Sequence, residues 1–185
     1  MYFGLSEEQK SLEENIKRYL AENAPLDKIK AVANGDDGEA DSVHKGIIEL
    51  GLSGLLVPEQ YGGLELNMLF ATVVSAALGS GTAPVPYVGS YVMAPLALNL
   101  AGSEEQKNKW LPKIAAGECQ FGVGLSEYVG AREDAGFEFS NGKINGRSLF
   151  LIDGKNADGF ILSDKSGGLY VIAVSYTHLR AHETR

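Results

Sequence analysis

The feature that most limits how this chain can fold is a long run without formal charge. Residues 66–103 contain no Asp, Glu, Lys or Arg. A transmembrane helix needs about 20 predominantly apolar residues in a row. This run is interrupted by a glycine-rich segment and three prolines, at residues 79–82, Pro84, Pro86 and Pro95. Its pieces are too short to span a membrane, so we expect no transmembrane segment and instead two buried core helices, over residues 68–78 and 88–100.

The composition is that of an average soluble globular chain, with 44% hydrophobic and 22% charged residues. Twenty-four acidic residues against sixteen basic ones give a net charge of −8. Because the backbone of a nucleic acid is also negative, we expect no nucleic-acid partner. The single cysteine, Cys119, cannot form an internal disulfide, which suits a reducing compartment. Residues 1–8 show no secretory signal, so we expect a cytoplasmic location.

The first 118 residues have the spacing and the capping signals of helices. Ser6 with Gln9, and Ser103 with Gln106, match the capping box, in which two residues three apart bond each other's backbone N–H groups. Asn67 is a further side chain of the type that caps helices. The predicted helices lie between Ser6 and Pro25, over 26–33, between Ser42 and Gly51, over 68–78 and 88–100, and between Ser103 and Gly117, with a loop over 34–40.

After Gly117 the hydrophobic spacing changes from helical to alternating, which is typical of strands. Asn141–Gly142 supplies the positive φ that a type I′ hairpin turn requires. Strands are predicted over residues 121–125, 137–140, 143–144, 149–152, 159–163 and 169–173. We therefore predict an α+β fold, with a helical domain over residues 1–118 followed by the first strands of an antiparallel β domain over 119–173.

The last twelve residues, 174–185, read VSYTHLRAHETR and abandon this alternation. His178 and His182 are four residues apart, a spacing that on a helix would present both imidazoles as metal ligands. The segment also resembles the translation of a transposase mosaic-end sequencing adapter. We therefore interpret it as an artefactual tail and predict no metal site.

The residues alone give few candidates for chemistry. The dinucleotide-binding GxGxxG and the phosphate-binding GxxxxGK[ST] motifs are both missing from the sequence. His44 lies at a polar helix start and is expected to be solvated. Gly122 and Gly124 would lie on one face of a strand, where bare backbone amides could receive a flat ring. The alternative at these glycines is a bulge or a close contact with a neighbouring element.

Two blocks of sequence resemble the acyl-CoA dehydrogenase family: GLSGLLVPEQYGGLEL at 51–66 and GSEEQKNKWLPKIAAGE at 102–118. The resemblance covers residues 5–173. It implies an N-terminal helical domain, a middle β domain and a C-terminal helical bundle, with FAD bound between these parts. It also implies oxidation of an acyl-CoA substrate to the trans-2-enoyl-CoA, with electrons passed to an electron-transfer flavoprotein, in a homo- or hetero-oligomer.

The resemblance places the catalytic carboxylate in the C-terminal bundle, before which this sequence is truncated. We therefore name no catalytic residue and expect the 185-residue chain to be inactive alone. The uncharged helices over residues 68–78 and 88–100 resemble those that line the acyl pocket of the family. Their simpler role is to form the core, and both roles are compatible.

The resemblance also assigns five candidate cofactor-binding residues. Leu125 and Ser126 match the start of the family's Thr-Glu-Pro-x-x-Gly-Ser-Asp strand, so the Ser126 hydroxyl can bond the flavin. Arg132 stands where the family has serine, and it either pairs with a phosphate of FAD or CoA or is solvated. Phe150 keeps an aromatic ring where the family's tryptophan packs on the flavin. Ile152 replaces the threonine whose hydroxyl reaches the flavin, and it can donate no hydrogen bond.

This weakened flavin motif leaves other functions open beside desaturation of an acyl-CoA. The resemblance implies a role in fatty-acid or steroid side-chain degradation. One alternative is a non-catalytic subunit in a heteromeric acyl-CoA dehydrogenase, since some bacterial members of the family, including those that act on steroid side chains, resemble pairs of unlike subunits. Another is a flavin monooxygenase or nitroalkane oxidase of the same superfold.

Overall fold

The structure is a computed structural model that describes residues 4–125, 136–148 and 150–174. It contains two compact units, with the boundary between Glu118 and Cys119. The first unit is helical and the second is built of strands, as the predicted α+β fold requires. Within the described residues, none of the helices has the length and hydrophobicity needed to cross a bilayer.

The described part of the first unit contains six α-helices. Ser6 and Ser103 cap α1 and α6: each hydroxyl accepts the N–H of the glutamine three residues later at 3.2 Å, and that glutamine accepts the serine N–H at 2.9 Å. Both predicted capping boxes are therefore confirmed. The helices are α1 (Glu7–Asn23), α2 (Leu26–Ala33), α3 (Asp37–Glu49), α4 (Met68–Ser80), α5 (Ala94–Ala101) and α6 (Glu104–Ala115).

Helix α3 begins earlier than the sequence predicted. Asp36, not Ser42, is its N-cap, because the Asp36 carboxylate accepts the N–H groups of Gly38 and Glu39 at 3.1 and 3.4 Å. The predicted loop over 34–40 is correspondingly short. The early start adds a turn of helix before the buried Val43.

The predicted helix over 88–100 is divided in two. Val88–Met93 is a π-helix, in which the Ala94 N–H donates to the Gly89 carbonyl, and α5 follows it. Pro95 lacks an N–H, and its ring would collide with the carbonyl of Tyr91 in a regular helix. The wider π turn immediately before Pro95 accommodates this proline.

The core of the helical unit is apolar and lies where α1 meets α4 and where α5 meets α6 and the π-helix. Residues less than 2% exposed include Ile16, Ile47, Leu52, Leu55, Leu98, Leu111 and Ile114. Helix α4 buries only part of its surface, since Met68 and Leu69 are 47% and 66% exposed. The prediction of a buried core helix over residues 68–78 is therefore wrong for the face that carries these two residues.

The second unit contains β1 (Phe121–Gly124), β2 (Gly136–Ser140), β3 (Lys143–Arg147), β4 (Gly159–Ser163) and β5 (Leu169–Ala173). Strands β2 and β3 form the predicted antiparallel hairpin, and Asn141 and Gly142 have φ values of +51° and +73°. The other sheet has the order β1–β4–β5. In it β4 pairs antiparallel with β5 but parallel with β1, so this sheet is mixed rather than wholly antiparallel.

In its described part, residues 150–152, the predicted strand over 149–152 is reduced to a single bridge. Ile152 pairs with Val123 of β1 in antiparallel orientation. Leu149 lies outside the described residues.

One carboxylate organises the turn between β4 and β5. Asp164 accepts the N–H and hydroxyl of Ser166 at 2.9 and 2.7 Å, the Gly168 N–H at 2.8 Å and the Tyr170 hydroxyl at 2.9 Å. These donors, the Ser166 hydroxyl foremost, lower the pKa of Asp164 below its usual 3.8. The charged carboxylate therefore stabilises the folded turn.

We expect acid to destabilise this turn through Asp164. Because its folded pKa is lowered, its stabilising contribution is present above about pH 3.8 and is lost as the pH falls through the folded pKa. The measurement is urea unfolding followed through the NMR amide signals of Ser166 and Gly168 at several acidic pH values. Asp164→Asn should remove this part of the pH dependence. Glu138→Gln, which changes an exposed carboxylate 3.2 Å from Lys165, is the control and should retain it.

Candidate functional site

Three of the five predicted flavin-binding residues lie at one edge of the mixed sheet. The Val123 N–H donates to the Ile152 carbonyl at 2.9 Å, and the Ile152 N–H donates to the Val123 carbonyl at 3.0 Å. Because this pairing is antiparallel, Leu125 and Phe150 extend from the same end of the bridge. The structure thus brings Leu125, Phe150 and Ile152 together, whereas Ser126 and Arg132 lie outside the described residues.

This edge offers an apolar surface with few groups able to donate hydrogen bonds. Phe150 and Ile152 are 66% and 40% exposed. Both backbone groups of Ile152 are occupied by Val123, and the Ser148 hydroxyl donates to the Phe150 carbonyl at 2.9 Å. The side chains of Leu125, Phe150 and Ile152 suit the face of a flat aromatic group such as a flavin ring. They supply no donor to its polar edge.

The backbone of β1 is covered by side chains at both of its glycines, Gly122 and Gly124. A Cβ on Gly122 would lie 2.8 Å from the Phe160 ring, and one on Gly124 would lie 3.0 Å from Leu162 and 3.2 Å from the Ser148 hydroxyl. Side chains of β4, the parallel neighbour of β1, fill the space above these glycines. The hypothesis that they leave open amides for a flat ring is therefore wrong, and close packing explains them.

A second group of polar side chains is buried in the helical unit. His44 of α3 is only 9% exposed, and its Nε2 lies 2.6 Å from the hydroxyl of Tyr91, which is fully buried. The expectation that His44 is solvated is therefore wrong. Burial lowers the pKa of His44, and Asp41 partly opposes this. The apolar Val43 and Ile47, close to it along the same helix, were the sequence signal for this burial.

Tyr87 belongs to the same buried group as His44 and Tyr91, but the fold does not explain why it carries a hydroxyl. Its side chain is 3% exposed, and its hydroxyl has no hydrogen-bond partner among the described residues. Its ring lies 6.4 Å from that of Tyr91 in a tilted arrangement, and burial raises the pKa of its hydroxyl. A buried hydroxyl without a partner costs about 1–3 kcal/mol. Phenylalanine would fill this position without that cost, so the hydroxyl calls for another explanation.

In the described parts of the chain, no three or more His, Cys, Asp or Glu side chains are grouped so as to hold a metal ion. The alternative metal pair, His178 and His182, lies outside the described residues.

Comparison with known proteins identifies the helical unit. Residues 6–118 match the family model "Acyl-CoA dehydrogenase, N-terminal domain". The chain is 26% identical over 171 residues to the mitochondrial isovaleryl-CoA dehydrogenase of Pongo abelii, a match that covers 88% of this chain and 40% of that protein. It thus spans less than half of the length of that relative.

Solved structures share the fold. An acyl-CoA dehydrogenase complexed with FAD from Bacillus anthracis superposes with a TM-score of 0.78 at 22% identity, over 98% of this chain and 33% of that one. The ChsE4–ChsE5 complex of Mycobacterium tuberculosis gives a TM-score of 0.70 at 21% identity, over 95% of this chain and 49% of that one. With the family model matching more than half of its residues, this chain belongs to the acyl-CoA dehydrogenase family.

Proposed function

We propose that this chain is part of a flavin-dependent oxidoreductase that converts an acyl-CoA to the trans-2-enoyl-CoA. The observation that carries the proposal is the family match over residues 6–118, which covers nearly all of the helical unit. FAD, when bound, supplies the two-electron acceptor for this reaction. An electron-transfer flavoprotein would then reoxidise the enzyme. A cytoplasmic location is part of the same proposal.

The residues of this chain would hold the cofactor chiefly by apolar contact. The exposed ring of Phe150 provides a stacking surface, and Leu125 and Ile152 extend it. By resemblance to the family, Ser126 would donate a hydroxyl hydrogen bond and Arg132 would pair with a phosphate of FAD or CoA. The carboxylate that removes the α proton would be supplied by a helical bundle outside these 185 residues.

The test is reduction of the bound flavin by acyl-CoA thioesters in the full-length gene product. We expect the visible absorption of oxidised FAD to fade when a substrate is added without air. The 185-residue chain with added FAD serves as the control and should show no turnover. The proposed reaction is excluded if no saturated or substituted acyl-CoA reduces the flavin, and turnover by the short chain would contradict the placement of the base.

A non-catalytic subunit of a heteromer is a second candidate, favoured by the chemistry at Ile152. Its backbone groups are engaged by Val123 and its side chain cannot donate, so the edge provides stacking without polar anchoring. Such a chain would purify colourless alone and yellow only with a flavin-binding partner. A full-length homomer that retains FAD through gel filtration would eliminate this candidate.

We expect Ile152→Thr to strengthen FAD binding by about two- to tenfold, the effect of one added hydrogen bond of about 0.5–1.5 kcal/mol. Fluorescence quenching of FAD titrated with the full-length protein measures this affinity. Ile152→Val is the matched control, because valine has the shape of threonine without its hydroxyl. If the threonine and valine variants bind FAD equally, residue 152 does not face a polar atom of the flavin.

A further inference from the structure

We propose that Tyr87 determines which acyl groups this protein accepts, by donating a hydrogen bond from its hydroxyl to an uncharged oxygen of the acyl chain. The favoured substrates would be acyl-CoA thioesters that carry a ketone or hydroxyl group remote from the thioester. The inference rests on the proposed function, since it concerns the acyl group of that reaction. It also assigns a role to a buried hydroxyl that the fold leaves unexplained.

The first support is that the Tyr87 hydroxyl has a hydrogen to donate, whereas the hydroxyl of the neighbouring Tyr91 is already hydrogen-bonded. Tyr87 is 3% exposed and its hydroxyl is unpaired within the described chain. The adjoining Tyr91 differs, because its hydroxyl lies 2.6 Å from Nε2 of His44. Polar groups buried in proteins are almost always paired. A missing acceptor at Tyr87 therefore points to a partner that the described chain does not supply.

The second support is that the backbone holds Tyr87 in place before any ligand arrives. Tight turns precede it, with the Val85 N–H donating to the Ala83 carbonyl and the Tyr87 N–H donating to the Val85 carbonyl, each at 2.9 Å. Pro84 and Pro86 fix φ at alternate positions of the same segment. The π-helix Val88–Met93 follows directly, and such turns are frequent at functional sites. A donor fixed in this way loses little freedom on binding.

The sequence on either side of Tyr87 favours an uncharged acceptor. Residues 66–103, which include Tyr87, contain no Lys or Arg to neutralise a carboxylate. Burying an unpaired carboxylate there would be far costlier than burying a ketone. Burial also raises the pKa of Tyr87, so its hydroxyl keeps the proton that it donates.

The test compares matched substrates in the full-length, FAD-loaded protein. The probes are straight-chain acyl-CoAs of several lengths and their analogues with a ketone on the penultimate carbon. We expect kcat/KM to favour the ketone analogue by about tenfold at the preferred length, equivalent to about 1.4 kcal/mol. Tyr87→Phe should reduce this preference to about one. Tyr91→Phe is the matched control and should keep the preference, since that hydroxyl is engaged with His44.

The possible results separate the inference from the proposed function. If acyl-CoAs reduce the flavin but wild type and Tyr87→Phe show the same preference for the ketone analogue, the inference is overturned and the proposed function stands. The same conclusion follows if the wild type reduces its flavin faster with the unsubstituted acyl-CoAs than with the ketone analogues. If neither series reduces the flavin, both are overturned. The preference of the wild type is measured without any substitution, so it tests the inference even if a variant fails to fold. The urea midpoint of Tyr87→Phe should not fall, because the lost hydroxyl has no described partner.

Discussion

Replacing Gly63 with alanine is expected to destabilise the helical unit by about 3 kcal/mol, through overlap with a backbone that cannot easily move. A Cβ on Gly63 would collide with the carbonyl oxygen of Val57. That carbonyl is held in place because it accepts the Glu65 N–H at 2.9 Å, while the Val57 N–H donates to the Gly54 carbonyl at 3.2 Å. Urea unfolding followed through the fluorescence of the single tryptophan, Trp110 of α6, measures the loss.

Gly62→Ala is the matched control for this substitution. A Cβ on Gly62 would meet nothing within 4 Å, but the residue has a φ of +83°, which alanine adopts at a cost of about 1–2 kcal/mol. Comparing the two substitutions therefore distinguishes the cost of crowding, at Gly63, from the cost of a positive φ, at Gly62. Equal losses for both variants would show that the chain relaxes around Gly63, and that crowding does not explain the glycine pair.

Local chemistry explains why much of the helical unit was predictable from the sequence. A capping box joins residues only three apart, so Ser6 with Gln9 fixed the start of α1 without knowledge of the rest of the fold. The Asn141–Gly142 turn likewise determined a hairpin from two residues. The parallel pairing of β1 with β4 could not be found in this way, because it joins segments far apart in the sequence and no local signal distinguishes it from an antiparallel pair.

The candidate site shows the same limit. The hydrogen-bond partner of the buried His44 is Tyr91, 47 residues later in the sequence. The space above Gly122 is filled by Phe160 from another strand. Spacing along the chain cannot reveal either neighbour. Leu125, Phe150 and Ile152 were assigned from resemblance to a family, and no pattern of residues alone had pointed to their shared edge.

We expect His44→Ala to destabilise the helical unit by about 3 kcal/mol, combining a lost buried hydrogen bond with the space left by the imidazole. Tyr91→Phe removes the other half of the pair and should also be destabilising. Because the two side chains lie 2.6 Å apart, the double variant should lose less than the sum of the single ones. Urea unfolding of all four proteins measures this coupling, and strict additivity would show that the contact contributes nothing to stability.

The same histidine should make the helical unit less stable in mild acid. Burial lowers the pKa of His44 below its usual 6.5, so the folded state favours the neutral ring. Its stabilising contribution is therefore complete above about pH 6.5 and falls as the pH drops toward the folded pKa, by up to about 1.4 kcal/mol per pH unit. His44→Ala should flatten the dependence over this range. Asp41→Asn should extend it to lower pH, because Asp41 raises the pKa of His44. A dependence unchanged in both variants would place its origin in other groups, since both the titrating ring and the charge that opposes its shift would have been removed without effect.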